Sequence, residues 1–153
     1  MKKSNVLFLV ILFIVTFISY INVNATEKLP EFDGGYIKTV KDDYMEIKEV
    51  EAKPAFGGYA FVTDKSSIVN IQENEFKGLL VKGNYKFESF SLHHLVEKYV
   101  NSGKGKQYLP GDKIDLQSKN IGDGGYYFQP RDKLVKGDYV AWIGKSFWLF
   151  SIK

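Results

Sequence analysis

The hydrophobic positions of this chain form one long unbroken run at its start and many short runs after it. Residues 6–21 are apolar except for Thr16, Ser19 and Tyr20, with Met1-Lys2-Lys3 ahead and Val23-Asn24-Ala25 behind. A positive start, an apolar centre and small or short residues at the two positions a signal peptidase reads predict a signal peptide over residues 1–25, cleaved after Ala25. The alternative is an uncleaved anchor, although the run falls short of the ~20 residues of a comfortable membrane span. On both readings the rest of the chain is exported, to the periplasm, the cell surface or the medium.

Residues 26–35 hold Pro30 and the Gly34-Gly35 pair, show little periodicity, and are expected to form a linker or N-terminal arm. Residues 36–153 then read as one domain of short strands. Residues 36–40 and 44–50 flank the polar turn Lys41-Asp42-Asp43, and in the second Met45 and Ile47 alternate with Glu46 and Lys48, the period of a half-buried strand. Strands over 59–63, 68–71 and 78–83 follow, bounded by glycines and polar turns. Leu109-Pro110-Gly111-Asp112 has the composition of a type II turn, and after it Ile114 and Leu116 point inward against Lys113, Asp115 and Gln117. Residues 121–125 are a turn and 126–128 a strand stopped by Pro130.

One segment fits two patterns. Leu92, Leu95, Val96, Tyr99 and Val100 have helical spacing behind Ser91 as N-cap, while Phe90, Leu92, His94 and Val96 fit an alternating face. A strand from Tyr85 to about residue 92 is expected, with 93–101 open between strand and one short helix.

The closing stretch carries most information. Residues 139–143 and 147–152 are aromatic and β-branched runs around Gly144-Lys145-Ser146, the composition of a β-hairpin. Alternation sets Val140 and Trp142 against Tyr139, Ala141 and Ile143, and Trp148 and Phe150 against Phe147 and Leu149. Both faces of both strands are apolar. Ahead of them, Leu134, Gly137 and Tyr139 have the spacing by which a β-sandwich turns between its sheets, with a tyrosine whose hydroxyl bonds to upstream backbone. On these residues the chain resembles the tyrosine corner of immunoglobulin-like domains, and as a whole it is similar to small exported bacterial β-sandwich proteins of that kind. The resemblance implies an all-β, immunoglobulin-like sandwich of about seven to nine short antiparallel strands, and it names no activity.

Composition narrows the classes. There is no cysteine, which removes disulfides, thiol chemistry and lipoprotein anchoring and, in an exported domain, favours a bacterial source. Twenty of the twenty-four aromatic residues lie beyond residue 25, material for a core with no other staple. The net charge is +3, and the leader's two lysines account for two of it, leaving +1. Arg131 is the only arginine among twenty-one basic residues, so no nucleic-acid partner is expected. No cofactor is expected either.

Candidate chemistry is sparse. His93 and His94 are the only histidines; on a strand they face opposite ways, and on a helix Glu97 would lie one turn from His93, giving two ligands or a base oriented by a carboxylate. The bland alternative is a pair of surface or core-edge histidines. No Gly-x-Ser-x-Gly elbow occurs, and Asp42-Asp43, Asp112 with Asp115, and Asp123 lack the alternation of a calcium loop, which makes them solvated turn acids. An aromatic strip offers the best opening: Tyr126, Tyr127, Trp142 and Trp148 are the candidate ligand-binding residues, set against the alternative that they are core. The expected function is a non-catalytic binding or structural module at a bacterial envelope or outside the cell, its partner a protein or polysaccharide there, with the membrane engaged only through a retained leader. The rivals are a small hydrolase or metal-dependent enzyme using His93 or His94 with carboxylates, and an inhibitor or exclusion factor that masks a partner protein.

Overall fold

A computed structural model describes residues 28–54, 60–62, 68–99 and 106–153, in which the alternating runs become strands. In chain order they are β1 Gly34–Thr39, β2 Tyr44–Ile47, β3 Glu49–Val50, β4 Ala52–Pro54, β5 Ala60–Val62, β6 Val69–Ile71 and β7 Phe76–Lys82. After a turn of 3-10 helix at Phe87–Ser89 come β8 Ser91–Tyr99, β9 Lys106–Lys113, β10 Leu116–Gly122, β11 Gly125–Pro130, β12 Gly137–Ile143 and β13 Ser146–Ile152. Phe32–Lys153 form one unit, distinct from Met1–Glu31.

The strands make two sheets, β10-β11-β7-β1-β2 and β3-β13-β12-β8-β9-β5-β4 with β6 added alongside β13. Pairing is antiparallel except between β6 and β13, which run parallel. The protein is an all-β sandwich. Ile37, Leu79, Val81 and Phe128 of the five-stranded sheet meet Leu92, Tyr139, Ala141, Trp148, Phe150 and Ile152 of the other in one core.

The larger sheet also closes on itself. Its two ends, β3 and β4, are joined by the single residue Glu51, so the strands between them must wrap round. Closure disposes of the far face of the hairpin. Val140, Phe147 and Leu149 are buried there among Val50, Ala52, Ile68, Leu95, Tyr108 and Trp142, drawn from strands all around the ring.

Between the layers the tightest fit is Trp148 on Gly35. A Cβ at position 35 would lie 2.7 to 2.8 Å from three indole carbons, so glycine is required for the sheets to approach. This is why β1 starts at Gly34, two residues before the expected strand: the glycine pair belongs to the sheet.

Chain crossings between sheets fall where the sequence changes character. Residues 131–136 carry the chain from β11 to β12, and Tyr139 Oη donates to Val135 O at 2.7 Å, the tyrosine corner anticipated from Leu134, Gly137 and Tyr139. The reverse crossing is at Ile114-Asp115. Ile114 N still bonds Leu92 O in one sheet at 2.8 Å, while Asp115 O already accepts from Arg131 N beside the other at 3.0 Å. Ile114 and Leu116 pack against the core as expected, Ile114 in the crossing after β9 and Leu116 at the start of β10 in the other sheet.

Two expectations are corrected. Leu109-Pro110-Gly111-Asp112 is strand, not turn: β9 runs through it, with Gly111 and Asp112 together opposing His94 in a bulge. A bulge tolerates Pro110, and the missing side chain at Gly111 leaves room for Val96, whose Cγ2 would stand 2.5 Å from a Cβ there. Conversely, the strand expected to begin at Tyr85 is a 3-10 turn at Phe87–Ser89 whose aromatic neighbours are core material. Tyr85 meets Trp148 edge-on at 5.9 Å and Phe87 stacks on Tyr126 at 4.1 Å. Of the segment left open, residues 93–99 are strand, paired with β12 on one side and β9 on the other, so no helix forms there; residues 100 and 101 lie outside the described residues.

Tyr139 is fully buried and its hydroxyl has one backbone partner. Tyr139→Phe strands the Val135 carbonyl and is expected to destabilise by about 1 kcal/mol or more in a urea unfolding curve. A midpoint equal to wild type would remove the corner from the account.

Candidate functional site

The four aromatic residues singled out in the sequence do not share a surface. Trp148 is 1 % exposed, in the core between the sheets. Trp142 is half-buried on the opposite face of the same sheet, because the hairpin register sets Trp142 against Phe147 and Ala141 against Trp148. Tyr126 is half-buried on the core side of β11, with its hydroxyl accepting from Asn120 Nδ2 at 3.2 Å. Tyr127, its neighbour in a strand, projects to the outer face. The alternation anticipated along each strand is present, but the pairing between strands divides the aromatics among three places.

The histidines are divided in the same way. His93 stacks on Trp142 with centroids 4.5 Å apart and planes 3° from parallel, and its Nδ1 donates to Gly111 O at 2.9 Å. His94 lies on the other face against Tyr139, at 4.5 Å. Glu97 is four residues from His93 along an extended strand, roughly 13 Å of chain rather than one helical turn. Among the described residues no group of three His, Asp or Glu side chains gathers as a metal-binding set.

Two open grooves of about 280 Å³ each flank the segment 131–136. The first is lined by Glu73, Phe76, Lys77 and Arg131, and Lys133 Nζ reaches Glu73 Oε1 at 2.7 Å. That ammonium holds the Glu73 carboxyl below the usual carboxylate range. The second holds His94, Lys113, Asp115, Asp132 and Tyr139. Burial pushes the Tyr139 phenol up, and its bond to Val135 opposes the rise.

The outer face of the five-stranded sheet is the more organised surface. Register aligns Lys119, Tyr127, Leu80, Tyr36 and Glu46 in one row across β10, β11, β7, β1 and β2. Beside it, Gln117 pairs with Gln129 at one side, and Gly78, Lys38 and Tyr44 follow at the other. An idle solvent face of a sandwich carries small and charged side chains; here Leu80 is 1 % and Tyr36 6 % exposed. Tyr36 Oη donates to Phe32 O at 2.9 Å, and its phenol is pushed up by burial first, then by Glu46 and Asp33.

Lys38, on β1 of this face, is only 8 % exposed. Its Nζ stands 5.7 Å from the Tyr44 ring and 5.6 Å from the Tyr127 ring, and 3.3 Å from Asp42 Oδ1. Asp42 sits in the turn between β1 and β2 with φ of 62°, a conformation aspartate tolerates better than most residues. The same oxygen takes Lys77 Nζ at 2.6 Å. Lys77 is the extra residue of a bulge, since Lys38 pairs with Gly78 and Thr39 with Phe76, and the bulge turns its amine toward Asp42. Sequence reasoning passed over Lys38 and read Asp42 as a solvated turn acid, where the structure pairs it with two lysines. The legible signal was a lysine in a strand two residues from Tyr36 and followed at i+4 by an acid, and that pattern is common on any sheet.

Comparison with protein-family models, with curated proteins and with solved structures finds no match to this chain.

Lys77 first and Lys38 second pull the Asp42 carboxyl below the ordinary carboxylate range. A depressed folded-state value means the clamp's contribution is present above the unfolded value of about 3.9 and is lost as pH falls through the folded one. The stability gap between wild type and Asp42→Asn should therefore be largest near neutral pH and close on acidification, read from urea midpoints. A gap that stays constant into acid would show that the ion pairs contribute nothing.

Proposed function

We propose that this protein is an exported, non-catalytic binding or structural module working at a bacterial envelope or outside the cell, with the outer face of the five-stranded sheet as its contact surface. One observation carries the reading: on the outer face of the five-stranded sheet, half-buried Tyr44 and Tyr127 stand around a lysine anchored by Asp42, where a solitary sandwich would carry solvated charges. Such faces are what interfaces are made of, since tyrosine offers large, rigid, amphipathic area at low entropic cost. Export is supported by the apolar leader of residues 6–21 and the Val23-Asn24-Ala25 site. The Tyr139–Val135 bond supports the likeness to immunoglobulin-like sandwiches.

The enzyme rival is disfavoured by the histidines' own partners. Each ring is packed on an aromatic residue, on opposite faces of β8, so they act as separate packing groups.

The test immobilises residues 26–153 and offers an envelope extract containing both protein and polysaccharide. Retention of one component by wild type, and its loss with Tyr127→Ala, is the expected result; a single protein retained in stoichiometric amount would make the module an inhibitor or exclusion factor. Turnover of a component that disappears in a His93→Ala, His94→Ala variant with unchanged unfolding would contradict the reading and restore the enzyme.

A further inference from the structure

The groove where β8 and β9 meet the 131–136 crossing is lined by groups that take no partner from the protein. The two histidines differ in this respect. His93 Nδ1 is bonded to Gly111 O, whereas His94, half-buried at the groove, packs its ring on Tyr139 and makes no hydrogen bond from either nitrogen among the described residues. Polar groups withdrawn from water are ordinarily bonded, so the His94 nitrogens are left for whatever occupies the groove.

The charges repeat the pattern. Lys113, Asp115 and Asp132 line the same groove with opposite signs, yet none of them forms an ion pair with any described residue. In the neighbouring groove, by contrast, Lys133 closes on Glu73. What separates Lys113 from the acids is the crossing between the sheets. Lys113 ends β9 and Ile114 N is still bonded to Leu92 O of the larger sheet, while Asp115 O already accepts from Arg131 N beside the smaller one. Lys113 and His94 therefore belong to one wall, and Asp115 and Asp132 to the other. The base is apolar, with Leu134 and Tyr139 buried and Ile114 half-buried. At about 280 Å³ the groove lies just below the ordinary range of about 300–1,000 Å³ for small-molecule sites, so its occupant is small.

We infer that this groove is a site for a small zwitterion with an apolar side chain, a free amino acid or a short peptide that carries both of its ends. Its carboxylate accepts from Lys113 Nζ and from an N–H of the His94 ring, its ammonium donates to Asp115 and Asp132, and its side chain rests on Ile114 and Leu134. A simple anion would face the two carboxylates and a simple cation would face Lys113, and like charges set together are costly. The groove shares no lining residue with the sheet face proposed for contact, so this inference stands independently of that reading.

Calorimetric titration of the full chain with leucine and with leucyl-leucine tests it. At least one of the two is expected to bind, and its N-acetyl and carboxamide derivatives, each lacking one charge, at least tenfold more weakly. Binding of leucine assigns a free amino acid; binding of the dipeptide alone assigns a short peptide. Lys113→Gln and Asp132→Asn, both at exposed positions, are each expected to weaken binding at least fivefold with an unchanged urea midpoint, which separates loss of the site from loss of the fold. No binding of either compound, a derivative that binds as tightly as its parent, or full affinity in either variant would overturn the inference.

Discussion

Side chains on both faces of β13 are buried, Phe147 and Leu149 on one and Trp148, Phe150 and Ile152 on the other, and most of the architecture answers to that constraint. Full burial of each such side chain is worth about 1.5–3 kcal/mol, so the five together match the whole net stability of an ordinary domain. Neither face can be left wet. The five-stranded sheet covers the Trp148 side. The other side is covered by the larger sheet's own continuation, which is why β3 and β4 meet through Glu51 and why β6 is added in parallel beside β13. The glycines follow from the same demand, Gly35 admitting Trp148 and Gly111 admitting Val96 where β9 bends.

With the larger sheet closed and one face of the smaller one committed to the core, the smaller sheet's outer face is the one we propose for contact. That face is built by local devices. A bulge frees Lys77, a positive-φ turn presents Asp42, and the two amines on that carboxylate fix Lys38 between two tyrosines. Tyr127 then lies over Gly78 with its hydroxyl on Lys77 O, so its orientation is set by the fold itself.

Much of the fold was legible because period-2 alternation survives tertiary context. The faces assigned to Tyr139, Ala141 and Ile143 and to Trp148 and Phe150 are the faces they occupy, and three residues located the corner at Tyr139. What alternation cannot carry is register. Trp142 and Trp148 looked like one strip until the pairing of Ala141 with Trp148 set them on opposite faces, and Pro110 looked like a turn until a bulge opposite His94 accommodated it. The outer face of the five-stranded sheet was harder still. Tyr127 was named for its aromaticity alone; its meaning comes from Gly78, forty-nine residues earlier, and from a carbonyl on another strand.

The shared strand makes a direct demand on folding, since two clusters that use opposite faces of β13 must open together. Native-state hydrogen exchange on Leu149→Ala tests it, because Leu149 belongs to the cluster inside the closed sheet and its truncation should cost about 2–5 kcal/mol. The account predicts faster exchange both in β12 and β13 and in β1 and β7 across the other core. Loss of protection confined to β8, β9, β12 and β13, with β1 and β7 exchanging as in wild type, would contradict it.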